Sequence, residues 1–511
     1  MGEDATGREP VRWASARARG VLAATVIGSG MAMLDGTVVN VALPRIGAEL
    51  AVGVAGLQWI LNGYLLALAS LILLAGSLGD RYGRRRTFRF GVIWFGVCSL
   101  LCGLAPNIEL LVAARVLQGV GAALLTPGSL AILQTSFGER DRARAIGAWS
   151  GLSGITTAVG PLVGGLLVQV WSWRLAFLVN LPLAALCVWL TSRHVPESWA
   201  GDGSGKLDVV GAVLGTVGLA GITAALVTAA DAGPVLVAAL AAVGVAALVA
   251  FVVRQVRTDR PLVPPALFAD RTFCLANGLT LLVYAALGGV LLLLVLQLQI
   301  AMHYSPTAAG IAGLPITVLM LVLSAQSGRW AQRIGPRWQL VIGPLLIAGG
   351  MLLLRRAVPG ADYATGVLPG LVLFGLGLAT VVAPVTATAL AAAPDEQAGV
   401  ASGVNNAVAR TGSLLAVSVL PLLAGLGGTR YADPVALTEG WRLALVICAA
   451  AAALGGLLGL GVDNAVLGRA PAKPRTEPRP GATAPHPGEC VYCGVEGPPT
   501  HVRPFAGPRP G

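Results

Sequence analysis

Charge is what this chain has least of. Only 12% of its 511 residues are Asp, Glu, Lys or Arg, about half the share of an ordinary soluble domain. Lysine is nearly missing: Lys206 and Lys473 stand among 33 arginines. The seven cysteines are few, and five of them (Cys98, Cys102, Cys187, Cys274 and Cys448) lie inside apolar runs. They read as small core residues, not as a disulfide framework. No segment alternates polar and apolar residues over the roughly ten positions of a barrel strand, which excludes a membrane β-barrel. A phosphate-cradling loop ending in Lys-Ser or Lys-Thr is also missing, because Lys206 precedes Leu207 and Lys473 precedes Pro474. Any motor must then be an ion gradient or another subunit. His-Glu-x-x-His and Gly-x-Ser-x-Gly are absent too, so no enzymatic constellation and no cofactor is expected.

What the chain does have is apolar length. Hydrophobic residues make up 55% of it and the mean hydropathy is +0.77. They fall in runs of about 18 to 28 residues, enough to cross a hydrocarbon core. Spans are expected at 20–43, 56–78, 87–105, 108–133, 143–169, 172–192, 208–229, 233–253, 273–301, 306–327, 337–355, 365–390, 398–427 and 440–462. Unpaired backbone groups are not tolerated in lipid, so each span must be a helix, and the class is an all-α polytopic membrane protein. The first run is too long for a cleavable leader and lacks a small-residue cleavage site.

The formal charge of +11 raises the question of nucleic acid. However, the basic residues sit in short clusters between apolar runs and form no continuous basic face. Their placement speaks instead to orientation. With a cytoplasmic N-terminus, the inner segments collect Arg8, Arg12, Arg17 and Arg19, then Arg81, Arg84, Arg85, Arg86 and Arg89, and comparable groups in each later inner loop. Outside there remain Arg45, Arg174, Arg355, Arg356, Arg430 and Arg442. An even number of spans puts both termini in the cytoplasm of a cell whose plasma membrane the chain crosses.

The sequence also repeats itself. Gly76-Ser-Leu-Gly-Asp80-Arg81-Tyr-Gly83-Arg84-Arg85 after the second span is echoed by Gly328-Arg-Trp-Ala-Gln332-Arg333-Ile-Gly335-Pro-Arg337 after the tenth. A weaker echo links Gly119, Gly121 and Pro127 with Gly375, Gly377 and Pro384. Two related six-helix halves account for both, and such repeats mark transporters with a site between the halves. The expected division is an N-terminal segment 1–19, a bundle 20–192, a linker region 193–272 with two extra spans, a bundle 273–462, and a disordered tail 463–511.

Three intramembrane charges stand out. Asp35 is the acid well inside a span. Such a carboxylate costs roughly 2.5–3.5 kcal/mol on insertion scales, and desolvation favours its neutral form, which makes it a natural proton carrier. A structural Asp paired with a basic neighbour is the alternative. Arg115 lies about 10 Å below the outer end of its helix and Asp35 about 12 Å below that of its own, depths that permit a pair or a shared polar cavity. Gln118 shares the Arg115 face. Arg410, about 18 Å into its helix from the cytoplasmic side, either faces a cavity or pins its helix to neighbours. One acid at the centre would suit a cationic cargo.

Elsewhere, Gly160-Pro161-Leu-Val-Gly164-Gly165 allows close helix approach and a bend. Asp80 among Arg81, Arg84 and Arg85 suggests salt bridges that form in one conformation and break in another. In the tail His486, Cys490, Cys493 and His501 are too loosely spaced to establish a metal site, and a free tail is the expectation.

These residues resemble the major facilitator superfamily, and within it the fourteen-helix drug:proton antiporters. Leu34-Asp35-Gly36-Thr37-Val38-Val39-Asn40 through Pro44 is similar to that group's first-helix motif. Gly76 to Arg85 is similar to its loop 2–3 motif. Arg115-Val-Leu-Gln118-Gly119-Val-Gly121 resembles the fourth-helix motif linked to proton transfer, and Gly160-Pro161 with Gly164-Gly165 the fifth-helix antiporter motif, although Thr156 falls where another glycine is usual. The resemblance covers roughly 15–465. It implies a major facilitator fold, alternating access by two six-helix bundles, and proton-coupled export of drug-like or antibiotic small molecules. It further implies proton coupling by Asp35 and Arg115, a substrate cavity involving Asn40, Gln118 and Arg410, and a gating loop of Gly76, Asp80, Arg81, Gly83, Arg84 and Arg85. The expected partners are the small-molecule substrate, protons and the bilayer, with the chain acting as a monomer.

Overall fold

The computed structural model describes residues 11, 13, 15–199, 208–259, 261–394 and 397–468. The cysteine pair Cys490 and Cys493 and the tail beyond 468 lie outside them. Among the described residues there are fourteen helices long and apolar enough to cross a membrane, and no strands. They are α1 (Ala16–Glu49), α2 (Val54–Tyr82), α3 (Arg84–Leu104), α4 (Ile108–Ser136), α5 (Glu139–Val170), α6 (Leu175–His194) and α7 (Val209–Thr228). Then follow α8 (Pro234–Arg257), α9 (Arg271–Ala301), α10 (Pro306–Ile334), α11 (Arg337–Leu354), α12 (Tyr363–Ala391), α13 (Ala398–Leu423) and α14 (Pro434–Gly459).

The helices start where local chemistry allows. Ser15, Asn107, Asp208, Asp270, Ser305, Asp362 and Asp433 each accept a hydrogen bond from a backbone N–H of the first turn, satisfying donors that a helix leaves unpaired. Pro234, Pro306 and Pro434 occupy first-turn positions that need no N–H. Several helices outrun the expected spans; α1 has 34 residues. Hydropathy detects the apolar middle of a helix, while its polar turns continue beyond the hydrocarbon. Prolines 44, 127, 161, 344, 384 and 421 lie inside helices, and α9 and α12 each carry a π-turn, at Gln297–Ala301 and Tyr363–Val367.

Within the first six helices α1 packs on α4, α5 and α6, and α4 lies against α2 and α3. Among the last six, α9 packs on α13 and α14, and α12 on α10 and α11. The α7–α8 pair packs on itself, and α7 touches α2 and α13. On α8, Val235, Val245, Val249, Val252 and Val256 remain exposed, as a lipid-facing helix requires. Contacts between the two sets of six run through α2–α13 and α5–α10. Their hydrogen bonds gather at the Glu49 end of α1. Gln58 Nε2 donates to Val417 O (2.7 Å), Asn62 Nδ2 to Ser418 Oγ (3.0 Å), Gln299 Nε2 to Val41 O (2.9 Å) and Tyr431 Oη to Val52 O (2.9 Å).

Candidate functional site: a buried ion pair, a glycine seam and two clasps

Asp35 sits on the buried face of α1 with Leu34, Val38, Val39 and Ala42, and is itself 0% exposed, as is Arg115. Arg115 Nη1 donates to Asp35 Oδ2 and to Gln118 Oε1, and Arg115 Nε donates to Ile60 O at 3.0 Å. Gln118 Nε2 donates to Asp35 Oδ1 (2.9 Å) and Ser99 Oγ (3.2 Å). Asn180 Nδ2 donates to Ser99 Oγ at 3.1 Å and reaches Asp35 Oδ1 at 3.4 Å. The guanidinium also lies over the Tyr64 ring, 4.4 Å from its centroid, a cation–π contact. Five helices, α1, α2, α3, α4 and α6, thus converge on one carboxylate. The pair sums to zero charge, so Asp35 presents no free negative charge to a cationic cargo in this state.

Ser99 and Asn180 are parts of this cluster that sequence reasoning missed. Both are neutral and far from Asp35 in sequence; the signal that would have found them is a polar residue alone inside an apolar run.

The opposite face of α1 is different. A Cβ built at Gly36 would meet nothing within 4 Å, and Met33, Thr37 and Asn40 on this side are half-buried. Asn40 Nδ2 donates to Gly36 O (2.7 Å), while its Oδ1 is buried without a partner. Gln118 lies with Asp35 and not on this open side.

The α5 glycines serve two neighbours. A Cβ at Gly160 would lie 2.0 Å from Thr37 Oγ1, and one at Gly164 would lie 2.9 Å from Val38 Cα, so both let α1 approach. Gly165 faces the other way: a Cβ there would lie 2.6 Å from Pro306 O and 2.7 Å from Thr307 Cα of α10. On α10, Gly310 returns the fit, since its Cβ would lie 2.2 Å from Pro161 O. Where α5 has Thr156 in place of the usual glycine, α1 supplies Gly30, whose Cβ would meet the Thr156 methyl at 3.0 Å. The small residue has moved to the partner helix and the close approach is kept.

The loop residues form a clasp. Asp80 accepts from Arg84 Nε (2.9 Å) and Nη2 (2.7 Å). Gly83 turns the chain with φ +103°, a left-handed conformation natural to glycine. Arg85 N–H donates to Glu197 Oε1 (3.0 Å) and Arg85 Nη1 to Val195 O (3.3 Å); Arg86 pairs with Glu197 at 3.7 Å. Arg81 Cζ lies 5.5 Å over the Tyr82 ring, and Gly76 approaches Pro127 of α4. The echo in the second half is built alike. Gly335 has φ +85°, Arg337 N–H donates to Asn464 Oδ1 (3.1 Å), and Arg337 Nε donates to Val462 O (3.0 Å). Glu197 and Asn464 therefore occupy equivalent places, one charged and one neutral. Neither has a motif that announces it.

Arg410 is half-buried near the middle of α13. It makes no ion pair and no ring contact among the described residues. It is close enough to Tyr64 of α2 and Tyr284 of α9 to act on both electrostatically.

Comparison with known proteins agrees with this architecture. The sequence model of the Major Facilitator Superfamily matches residues 25–417 and 273–504. The multidrug resistance protein Stp of Mycobacterium tuberculosis is 38% identical over 402 residues, covering 78% of this chain and 74% of that one. The tetracenomycin C resistance and export protein of Streptomyces glaucescens is 37% identical over 409 residues, 79% and 75% of the two chains. Among solved structures, a bacterial homolog of the human lysosomal transporter Spinster, inward-facing and unoccupied, superposes with a TM-score of 0.62 at 18% identity, over 87% of this chain and 96% of that one.

Proposed function

This chain belongs to the Major Facilitator Superfamily, and we propose that it is a proton-coupled antiporter exporting drug-like or antibiotic small molecules by alternating access. Its fourteen helices make it a multi-pass membrane protein, and its family makes it a transporter. The relatives named for resistance and export support the direction of transport. The arginine distribution supports cytoplasmic termini. On that orientation the cross-half hydrogen bonds close the outer side, and the state is inward-facing.

The observation that carries the coupling is the Asp35–Arg115 pair, 0% exposed inside the first bundle and on the far face of α1 from the open side. A proton arriving on Asp35 cancels its charge and leaves the Arg115 guanidinium unmatched in a desolvated core. Neutral Gln118 and the Ile60 carbonyl remain as its acceptors. That imbalance is large on the scale of protein conformational equilibria, so proton uptake can drive α1 and α4 into a different arrangement. Export of cargo then follows from the switch, with the protein acting as a monomer and its bundles, 20–192 and 273–462, moving about the α5–α10 and α2–α13 contacts. The clasp around Arg84 and Arg85 is the inner gate, making and breaking its salt bridges, and Asn40 and Arg410 face the cargo.

Drug export from everted membrane vesicles under an imposed pH gradient tests this. Native protein should move substrate only while the gradient lasts, and Asp35→Asn should abolish the gradient dependence. Retention of full proton-coupled export by Asp35→Asn would sink the carrier role.

A further inference from the structure

Arg410 and Asp35 share a depth: each lies about 20 Å, at 1.5 Å per residue, from the Glu49-side end of its helix. Their surroundings differ sharply. Asp35 has Arg115; Arg410 has no carboxylate within ion-pairing distance among the described residues. An unpaired arginine at this depth costs several kcal/mol on any scale, so membrane proteins hold such charges for a function.

The placement of Arg410 is set by α13. Asn405 and Ser413 bond to α9, through Thr280 and the Tyr284 carbonyl, while a Cβ at Gly403 would meet Leu73 of α2 and Ser418 accepts from Asn62. Asn406 and Arg410, one turn apart, lie between these two faces, directed to the space between α2 and α9. Tyr284 borders the same space from α9, half-buried, and its hydroxyl has no hydrogen-bond partner among the described residues. The site therefore offers a guanidinium, a phenolic O–H and a carboxamide, with no carboxylate ion-paired to Arg410 among the described residues. Arg115 and Asp35 cancel each other nearby, so Arg410 decides the net sign.

We propose that Arg410, with Tyr284 and Asn406, forms a subsite for the ionised acidic group, a carboxylate or phenolate, of an amphipathic cargo. A planar guanidinium suits such a group, which it can grip through two parallel N–H bonds. The subsite rests on the export reading only in taking its ligand to be cargo. Proton and acid group occupy different sites, Asp35 on α1 and Arg410 on α13, so their coupling runs through conformation and not through competition for one charge.

The test uses two probes with one body and opposite charge, pyrenebutanoate and pyrenebutyl-trimethylammonium, bound to the full chain in nanodiscs. Energy transfer from tryptophan to pyrene reads affinity. Native protein should prefer the carboxylate. Arg410→Gln should weaken carboxylate binding by about tenfold or more, as loss of a charged hydrogen-bonding partner does, and leave the cation unaffected or tighter. Arg410→Lys should recover part of the loss, and Tyr284→Phe should weaken the carboxylate by about two- to tenfold. Cation binding reports that each variant is folded. Native preference for the cation, or carboxylate affinity unchanged in Arg410→Gln, overturns the subsite. Vesicle export of the same probes separates the two readings. Carboxylate bound but not exported under a pH gradient leaves the subsite and refutes antiport; cation exported with no carboxylate bound does the reverse.

Discussion

Replacing Arg115 by Met tests whether the buried pair is a single energetic unit. The substitution keeps an unbranched side chain of similar reach in the space beside Tyr64 and Phe177, but removes the guanidinium from Asp35, Gln118 and the Ile60 carbonyl. With charge centres about 4 Å apart and an effective dielectric of about 20, the lost attraction is about 4 kcal/mol. Removing one partner of a buried pair typically destabilises by about 3–5 kcal/mol, because the other charge is stranded. Asp35→Asn strands Arg115 in turn, though more mildly, since Gln118 Oε1, Ile60 O and the Tyr64 ring still receive the cation. The double variant strands nothing. Unfolding in mixed micelles of rising SDS content, followed by tryptophan fluorescence, should show Arg115→Met costing about 3–5 kcal/mol in the native background and less than about half of that in the Asp35→Asn background. Additive costs, with no coupling between the two sites, would refute the unit. Arg115→Met should also export without responding to the pH gradient, because the cation whose balance with Asp35 couples the proton to the helices is gone.

Four further outcomes follow from the geometry. Gly165→Val places a side chain against Pro306 and Thr307, and should cut export severely while leaving the folded fraction near native. Cysteine crosslinking between the facing ends of α5 and α10 should fall with it, and undiminished export would contradict the seam. Glu197→Ala removes the acceptor of the Arg85 N–H and the partner of Arg86, and should cost about 1 kcal/mol as a lost helix cap, whereas Asp80→Asn, at a half-exposed pair, should cost less than about 1 kcal/mol in stability yet slow transport. The Asp208 cap of α7, which also accepts from Arg254 Nε (2.6 Å) and Gln255 Nε2 (3.0 Å), carries a pH signature. Burial pushes its carboxyl up, but hydrogen bonds from Gly211, Arg254 and Gln255 more than offset this and hold it below the ordinary value. The folded state therefore binds fewer protons, so the stability is fully present above the unfolded value of about 3.9 and is lost as pH falls below it. Asp208→Ala should cost about 1 kcal/mol near neutral pH, and native and variant should converge in acid, as amide exchange at Gly211 would report.

Membrane class and helix number were legible because hydrocarbon imposes a length and a purity on each span. The charges Asp35, Arg115 and Arg410 were legible for the complementary reason: in apolar runs a charge has no camouflage. Ser99 and Asn180 were not, since a neutral polar residue is common in membrane helices and nothing in the sequence says that α3 and α6 bring them to one carboxylate. Glu197 and Asn464 were hidden differently. Each lies after the last helix of its half, well over a hundred residues from the turn it caps, and they are not even the same residue type. The Gly30–Thr156 exchange shows a third limit. A motif scored on one helix registers a missing glycine as a departure, although what matters physically is the sum of two surfaces.

The seam between α5 and α10 also says something about wear and speed. At Gly165 and Gly310 the two helices meet backbone to backbone, and one exposed hydrogen bond, from the Thr307 N–H to Gln169 Oε1 (3.3 Å), crosses beside them. Such a joint behaves as a plain bearing: it parts at the cost of that one exposed bond and of dispersion contacts, which are shallow one by one and forgiving of small misalignment. Turnover at this joint should be limited by what flanks it, the bonded ends near Gln58, Asn62 and Tyr431, and not by the bearing surface itself. A transporter that must cycle many times has reason to keep its moving contact nearly bare.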